Sequence, residues 1–122
     1  MQTRKLGKTD LELTTVGLGT WAIGGPWQFG WGPQDDDEAV AAILKALDMG
    51  INWIDTAPAY GIGHSEELVG RVLKQTSEKP IIATKCGILS NEKREKVTCL
   101  KKESVRAECL DSLEKLGIDV AA

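Results

Sequence analysis

Four apolar runs recur along this chain at near-constant spacing, and the segments between them carry helical periodicity. The runs begin near residues 16, 51, 81 and 118, so each repeat takes 30 to 37 residues. Strand, helix, strand alternation on this scale implies neighbouring strands that run parallel, with helices covering the sheet. The first helix signal is the clearest. Asp35, Asp36 and Asp37 supply an N-cap and first-turn negative charge, Val40, Ile43, Leu44 and Leu47 form an apolar stripe, and Gly50 supplies the stop. A second helix opens at Ser65-Glu66-Glu67-Leu68, with Leu68, Val69, Val72 and Leu73 on its buried side. A third covers residues 104–116, with Val105, Leu110, Leu113 and Leu116 inward and Gly117 as its stop. Ile118-Asp119-Val120 then opens a fourth strand. Two α/β architectures satisfy this order, an open doubly wound sheet and an eightfold barrel, and periodicity does not choose between them.

At the N-terminus, Arg4-Lys5-Leu6 and Leu11-Glu12-Leu13 flank the turn-forming Gly7-Lys8-Thr9-Asp10, which predicts a small hairpin. The segment 92–103 carries Lys93, Arg94, Lys96, Lys101 and Lys102 interrupted by Glu92, Glu95 and Glu103, and reads as a solvated polar loop. A chain of 122 residues that is 42% hydrophobic and 27% charged has the composition of a folded soluble domain. Its net charge of −3 gives no electrostatic basis for binding nucleic acid or an anionic membrane. Cys86, Cys99 and Cys109 are odd in number, lack metal-ligand spacing and accompany no signal peptide, so reduced thiols in the cytoplasm are expected. Cys109 falls within a helical pattern and is expected in the core, whereas Cys86, next to Lys85, is placed to see a binding site.

Chemistry-bearing residues gather where the apolar runs end. Asp55 closes the second run, Tyr60 follows five residues later, and Lys85 closes the third. In parallel α/β folds the C-terminal strand ends converge on the active site, so an acid, a phenol and an amine meet there. A free phenol has pKa about 10, and a neighbouring cation lowers it toward the range useful to a general acid. The competing reading of Asp55 and Lys85 is a structural ion pair. Gly17-Leu18-Gly19-Thr20-Trp21-Ala22 matches a dinucleotide fingerprint in spacing, yet Gly24-Gly25-Pro26 follows where a phosphate-binding helix should start. The lone His64 precludes a multi-histidine metal site and reads as a side chain near a helix cap; no metal site is expected. Trp21, Trp27 and Trp31 crowd a Gly/Pro-rich loop with Phe29 and suggest a pocket wall, while Trp53 suggests core packing.

Taken together, Gly17-Leu18-Gly19-Thr20-Trp21, the stretch from Gly50 through Asp55-Thr56-Ala57, Tyr60-Gly61, Ser65-Glu66-Glu67 and Ala83-Thr84-Lys85 resemble the aldo-keto reductase family. The likeness runs along essentially the whole chain. It implies a (β/α)8 barrel whose bottom is closed by the N-terminal hairpin, and NADP(H)-dependent reduction of small-molecule aldehydes and ketones. It also implies Tyr60 as proton donor, Lys85 and Asp55 tuning it, and Thr20, Trp21 and Asp55 near the nicotinamide.

The family's further catalytic histidine, at the end of the fourth strand, has no counterpart here, and a barrel of this type takes roughly 250 residues. Residues 1–122 are therefore expected to form the N-terminal part of one barrel domain, without a second domain. About three and a half βα units are expected, inactive or weakly active alone. A different class of function, a non-catalytic binding or regulatory module, would self-associate or pair through open edges at the first and fourth strands.

Overall fold

A computed structural model describes residues 1–28 and 30–121. The N-terminal hairpin pairs β1 (Thr3–Lys5) with β2 (Glu12–Thr14) antiparallel, Arg4 opposite Leu13. Leu6 N–H donates to the Leu11 carbonyl at 2.9 Å, and the Thr9 hydroxyl turns back to Leu6 O at 2.7 Å. The hairpin is tied to the start of β4 (Trp53–Asp55) by side chains. Asn52 accepts from Thr14 N–H at 2.8 Å and donates to Glu12 O at 2.8 Å, while the Trp53 indole donates to Thr14 O at 3.0 Å. Gly17 has to be glycine because a Cβ there would overlap the Trp53 ring. The hairpin thus sits at the N-terminal end of the sheet, away from Asp55.

The parallel sheet orders β3 (Leu18–Gly19), β4 and β5 (Ile81–Ala83) side by side. Gly19 stands opposite Asp55, and Asp55 opposite Ala83, so the C-terminal strand ends are level. Ile54 and Ile82 turn toward the helices and are buried with Val40, Ile43 and Leu47 of α1 (Asp36–Asp48) and Leu68, Val69 and Val72 of α2 (His64–Leu73). Leu116 of α3 (Lys102–Leu116) completes this core. With a side-chain period of 2, Trp53 and Asp55 project from the opposite face of the sheet. Among the described residues no helix is long and apolar enough to cross a membrane.

Three expectations need correction. The segment 92–103, expected as loop, is in part a hairpin: β6 (Ile88–Ser90) pairs antiparallel with β7 (Lys96–Thr98), Leu89 opposite Val97. Its turn is organised by Asn91 Oδ1, which accepts from Lys93 and Glu95 N–H at 2.9 Å each. Next, α3 buries Glu108, Ser112 and Leu116, a line at i, i+4, i+8. Leu110, about 200° round from Glu108 at 3.6 residues per turn, is exposed, and Cys109 is exposed as well. Finally, no fourth strand follows among the described residues. Ile118 packs beneath α3 against the core, but Val120 is 80% exposed. The free edges of the parallel sheet therefore belong to its first and third strands, β3 and β5.

The helices begin and end as their sequences require. Asp35 caps α1, its Oδ1 accepting from Asp37 and Glu38 N–H at 2.9 Å each. Removing that cap in Asp35→Ala is expected to cost about 1 kcal/mol, read as a lower urea midpoint with an unchanged slope.

His64, the first residue of α2, joins the two helices by pairing with Asp36 at 2.8 Å and, more weakly, Glu67 at 3.4 Å. The hydrogen bond to Asp36 raises its pKa above the ordinary histidine value; burial opposes that rise without cancelling it. A raised folded-state pKa stabilises the fold fully below the unfolded value of about 6.5 and loses that contribution as pH climbs through the folded value. Going from about pH 6 to about pH 8.5 should therefore lower the unfolding free energy more in the parent than in His64→Gln, compared by urea titration at the two pH values.

Candidate active site

The second and third parallel strands deliver the polar groups. Asp55 ends β4, and Lys85 lies two residues beyond the last residue of β5. Tyr60 is carried by the turn between them, its N–H donating to Ala57 O at 3.0 Å and its carbonyl accepting from Ser65 N–H at 3.2 Å. The chain then passes through three successive positive-φ residues, Gly61 (67°), Ile62 (59°) and Gly63 (88°). A Cβ on Gly61 would overlap the Gly24 carbonyl oxygen, so the Tyr60 turn is pressed against the loop that follows β3. For a β-branched residue such as Ile62 that backbone conformation is strained.

Side chains close the constellation. The Lys85 ammonium donates to Asp55 Oδ1 at 2.7 Å, to Thr56 O at 3.0 Å and to Tyr60 Oη at 3.0 Å. These three bonds use all three of its hydrogens. Its Nζ also lies 4.8 Å from the centre of the Tyr60 ring, within cation–π range. The Tyr60 hydroxyl points at Asp55 Oδ1 over 3.4 Å, a long and weak bond. Burial alone would push the Lys85 pKa down, but hydrogen bonds to Asp55 and Tyr60 and their charges outweigh it, and the pKa is raised. Asp55, Tyr60 and Lys85, read from the sequence as neighbours, are in mutual contact.

Tyr60 and Lys85 face a cavity of about 310 Å³ walled also by Trp21, Pro58, Cys86 and Ile88. This is the lower end of the range for small-molecule sites. Trp21 meets Trp31 edge to face, with ring centres 6.3 Å apart. Trp27 belongs to a separate cavity of about 120 Å³ on the other side of Pro58 and Ile88, and its indole donates to Arg94 O at 2.9 Å. Phe29, grouped with these tryptophans from the sequence, lies outside the described residues.

Thr20 occupies a different place from Trp21. It is fully buried, its hydroxyl donating to Asp55 O at 3.0 Å and accepting from Ser65 Oγ at 2.7 Å. What Thr20 touches is the backbone behind Asp55. Cys86 does line the cavity, as its position beside Lys85 suggests. Ile88, also in the wall, carries no sequence expectation; the alternation in Ile88-Leu89-Ser90 and Lys96-Val97-Thr98 is the signal that finds it.

With this geometry in place, comparison with known proteins settles the class. The chain belongs to the aldo/keto reductase family, whose model matches residues 15–121. It is 44% identical to the NADH-specific methylglyoxal reductase of Escherichia coli (strain K12), a match over 93% of this chain and 38% of that protein. The glycerol dehydrogenase AKR11B4 of Gluconobacter oxydans is 45% identical and superposes with a TM-score of 0.83 over 98% of this chain and 37% of its own. The holo form of aldo-keto reductase AKR11C1 from Bacillus halodurans, 30% identical, gives 0.84 over 99% of this chain and 38% of its own. These structures are (β/α)8 barrels, so the three parallel strands here are part of a barrel and not of an open doubly wound sheet. The chain spans less than two fifths of the length of each of these relatives.

The ion pair makes a direct prediction. In Asp55→Asn the ammonium loses its counter-charge, and the Lys85 pKa falls because burial then weighs more heavily. Competitive acylation of lysines, read peptide by peptide by mass spectrometry, should show Lys85 reacting faster than in the parent while other lysines are unchanged.

Proposed function

We propose that these residues are the proton-transfer part of a carbonyl-reducing site that works with a nicotinamide dinucleotide, with Tyr60 as proton donor. The observation that carries this reading is the Lys85 ammonium bound to both Tyr60 Oη and Asp55 Oδ1 at the edge of an apolar-walled cavity. The residues fit the reacting end of such a cofactor beside a small aldehyde or ketone: flat indole and aliphatic walls, with polar groups gathered at one side. When bound, the reduced nicotinamide supplies the hydride that a carbonyl carbon accepts.

The remaining steps belong to the protein. A carbonyl oxygen entering the cavity offers the Tyr60 hydroxyl a better acceptor than Asp55 at 3.4 Å. As negative charge grows on that oxygen, Tyr60 releases its proton to it and the alcohol forms. The phenolate left behind is held by the Lys85 N–H already aimed at Oη. Asp55 and Thr56 O keep the ammonium in place, and Trp21 supplies a flat wall.

NADP(H) is the cofactor the family resemblance implies, whereas the E. coli relative is named for NADH; paired assays with NADPH and NADH decide between them. We further propose that residues 1–122 are the N-terminal part of a single barrel domain. Three parallel strands, where the similar barrels have eight, support that reading.

Two assays test this. Purified 122-residue polypeptide with NADH or NADPH and methylglyoxal as probe is expected to oxidise the cofactor at or near background. A fast rate that Tyr60→Phe abolishes would overturn the weak-activity expectation. The catalytic assignment is tested in a chimera in which residues 1–122 replace the matching segment of the E. coli relative. There Tyr60→Phe should lower kcat about 100-fold or more, the scale of general acid catalysis. A chimera that keeps full activity with Tyr60→Phe would rule Tyr60 out as the donor.

A further inference from the structure

Lys85 stands beyond the sheet, so the ladder does not hold it. The last backbone bond of β4 with β5 is Thr56 N–H to Ala83 O at 2.9 Å, and the chain then leaves the strand direction. Two buried carboxylates take over on either side of Lys85. The Thr84 hydroxyl donates to Glu66 Oε1 at 2.6 Å, and Gly87 N–H donates to Glu108 Oε2 at 2.7 Å. Glu66 is 0% exposed and Glu108 5%. They come from different helices, α2 and α3.

Those helices share one seam. Gly63, just before α2, and Glu66 and Gly70 within it follow at three- and four-residue steps, and both glycines meet α3: Gly63 the Lys115 side chain, Gly70 the backbone of Lys115 and Leu116. Glu108, Ser112 and Leu116 form the buried line of α3. A seam of this kind is most stable when filled with apolar side chains, because burying a carboxylate is costly even when it is paired. Glu66 is only half paired: its Oε2 is buried without a hydrogen-bond partner among the described residues. What an apolar residue cannot supply is a short, charge-assisted bond to the chain on each side of Lys85.

We propose that Glu66 and Glu108 are positioning residues that clamp segment 84–87, so that the Lys85 ammonium keeps its three bonds to Asp55, Thr56 O and Tyr60. Neither carboxylate touches the cavity. Each acts through backbone geometry, Glu66 by way of Thr84 and Glu108 by way of Gly87. The inference rests on the reading of Lys85 as the group that holds Tyr60, and it adds how that lysine is held.

The test uses the 122-residue chain without cofactor or substrate. Thr84→Val removes the donor to Glu66 with little change of shape, and Thr84→Ser keeps it. Competitive acylation should show Lys85 in Thr84→Val reacting about threefold faster than in the parent, the effect of about half a pKa unit, with other lysines unchanged. Thr84→Ser should match the parent. Glu108→Met, which frees Gly87, should show the same selective rise, and urea midpoints separate selective loosening from general destabilisation. If either variant fails to fold, the other and Glu66→Gln carry the test. Unchanged Lys85 reactivity in the folded variants, or an equal rise at every lysine, would overturn the clamp. Because labelling needs no turnover, such a failure leaves the proton-donor reading standing, and loss of the reductase reading leaves the clamp measurable.

Discussion

The Lys85 ammonium is the contact on which the rest of this site depends. It joins the end of one strand, the backbone just past that end and the turn that carries the phenol. An ammonium with three hydrogens and no acceptor capacity can satisfy itself here only if three oxygens converge from different segments. The parallel register brings them together: Asp55 opposite Ala83 makes the strand ends level, and two more residues carry Lys85 across to Asp55. A one-residue slip of β5 would turn its side chains to the opposite face. The geometry of the site is in this sense a property of the sheet register. Lys85 and Asp55 are each more than a third exposed, so their attraction is screened and contributes to placement more than to stability.

Much of the fold was legible because local signals agreed with one another. The cap at Asp35, the stripe from Val40 to Leu47 and the stop at Gly50 all point to the same helix, and that helix forms where they say. The C-terminal ends of apolar runs located Asp55 and Lys85, since in a parallel sheet those ends share one side. What was not legible depended on tertiary context. On α3 the leucines suggested the inner face, but Glu108 is held inside by Gly87 N–H and turns the helix so that Leu110 faces out. The β6–β7 hairpin carries so many charges that composition concealed its alternation. Ile118 to Val120 has strand-like residues, but a strand exists only with a partner, and none pairs with it among the described residues.

Behind the cavity a second set of polar groups is buried. Thr20, Thr56 and Ser65 are each fully buried, and they satisfy one another around the carbonyl of Asp55: Thr20 donates to that carbonyl, and Ser65 donates to Thr20. Buried hydroxyls cost little when paired in this way and a good deal when not. The network fixes where β3, β4 and the start of α2 meet, which is the place from which the Tyr60 turn departs. Thr20 thereby shapes the site from behind Asp55, without lining the cavity itself. The sequence motif that drew attention to Thr20 and Trp21 as a pair contains one residue that lines the cavity and one that is buried in the frame.

The strain at Ile62 belongs to the same logic. An isoleucine with positive φ persists only where its surroundings over-determine it, and here glycines flank it while Gly24 blocks one side of the turn. Tyr60 is consequently fixed from its own backbone as well as from Lys85. Under the proposed role, a phenol that donates a proton and then recovers it needs a stable position in both charge states. The turn supplies that position independently of charge, and Lys85 supplies the part that responds to charge. Asp55, Tyr60 and Lys85 are therefore arranged by bonds that all lie within these 122 residues, in a chain that spans under two fifths of its relatives' length. Assembly of this cluster is separable in the structure from capture of whatever enters the cavity beside it.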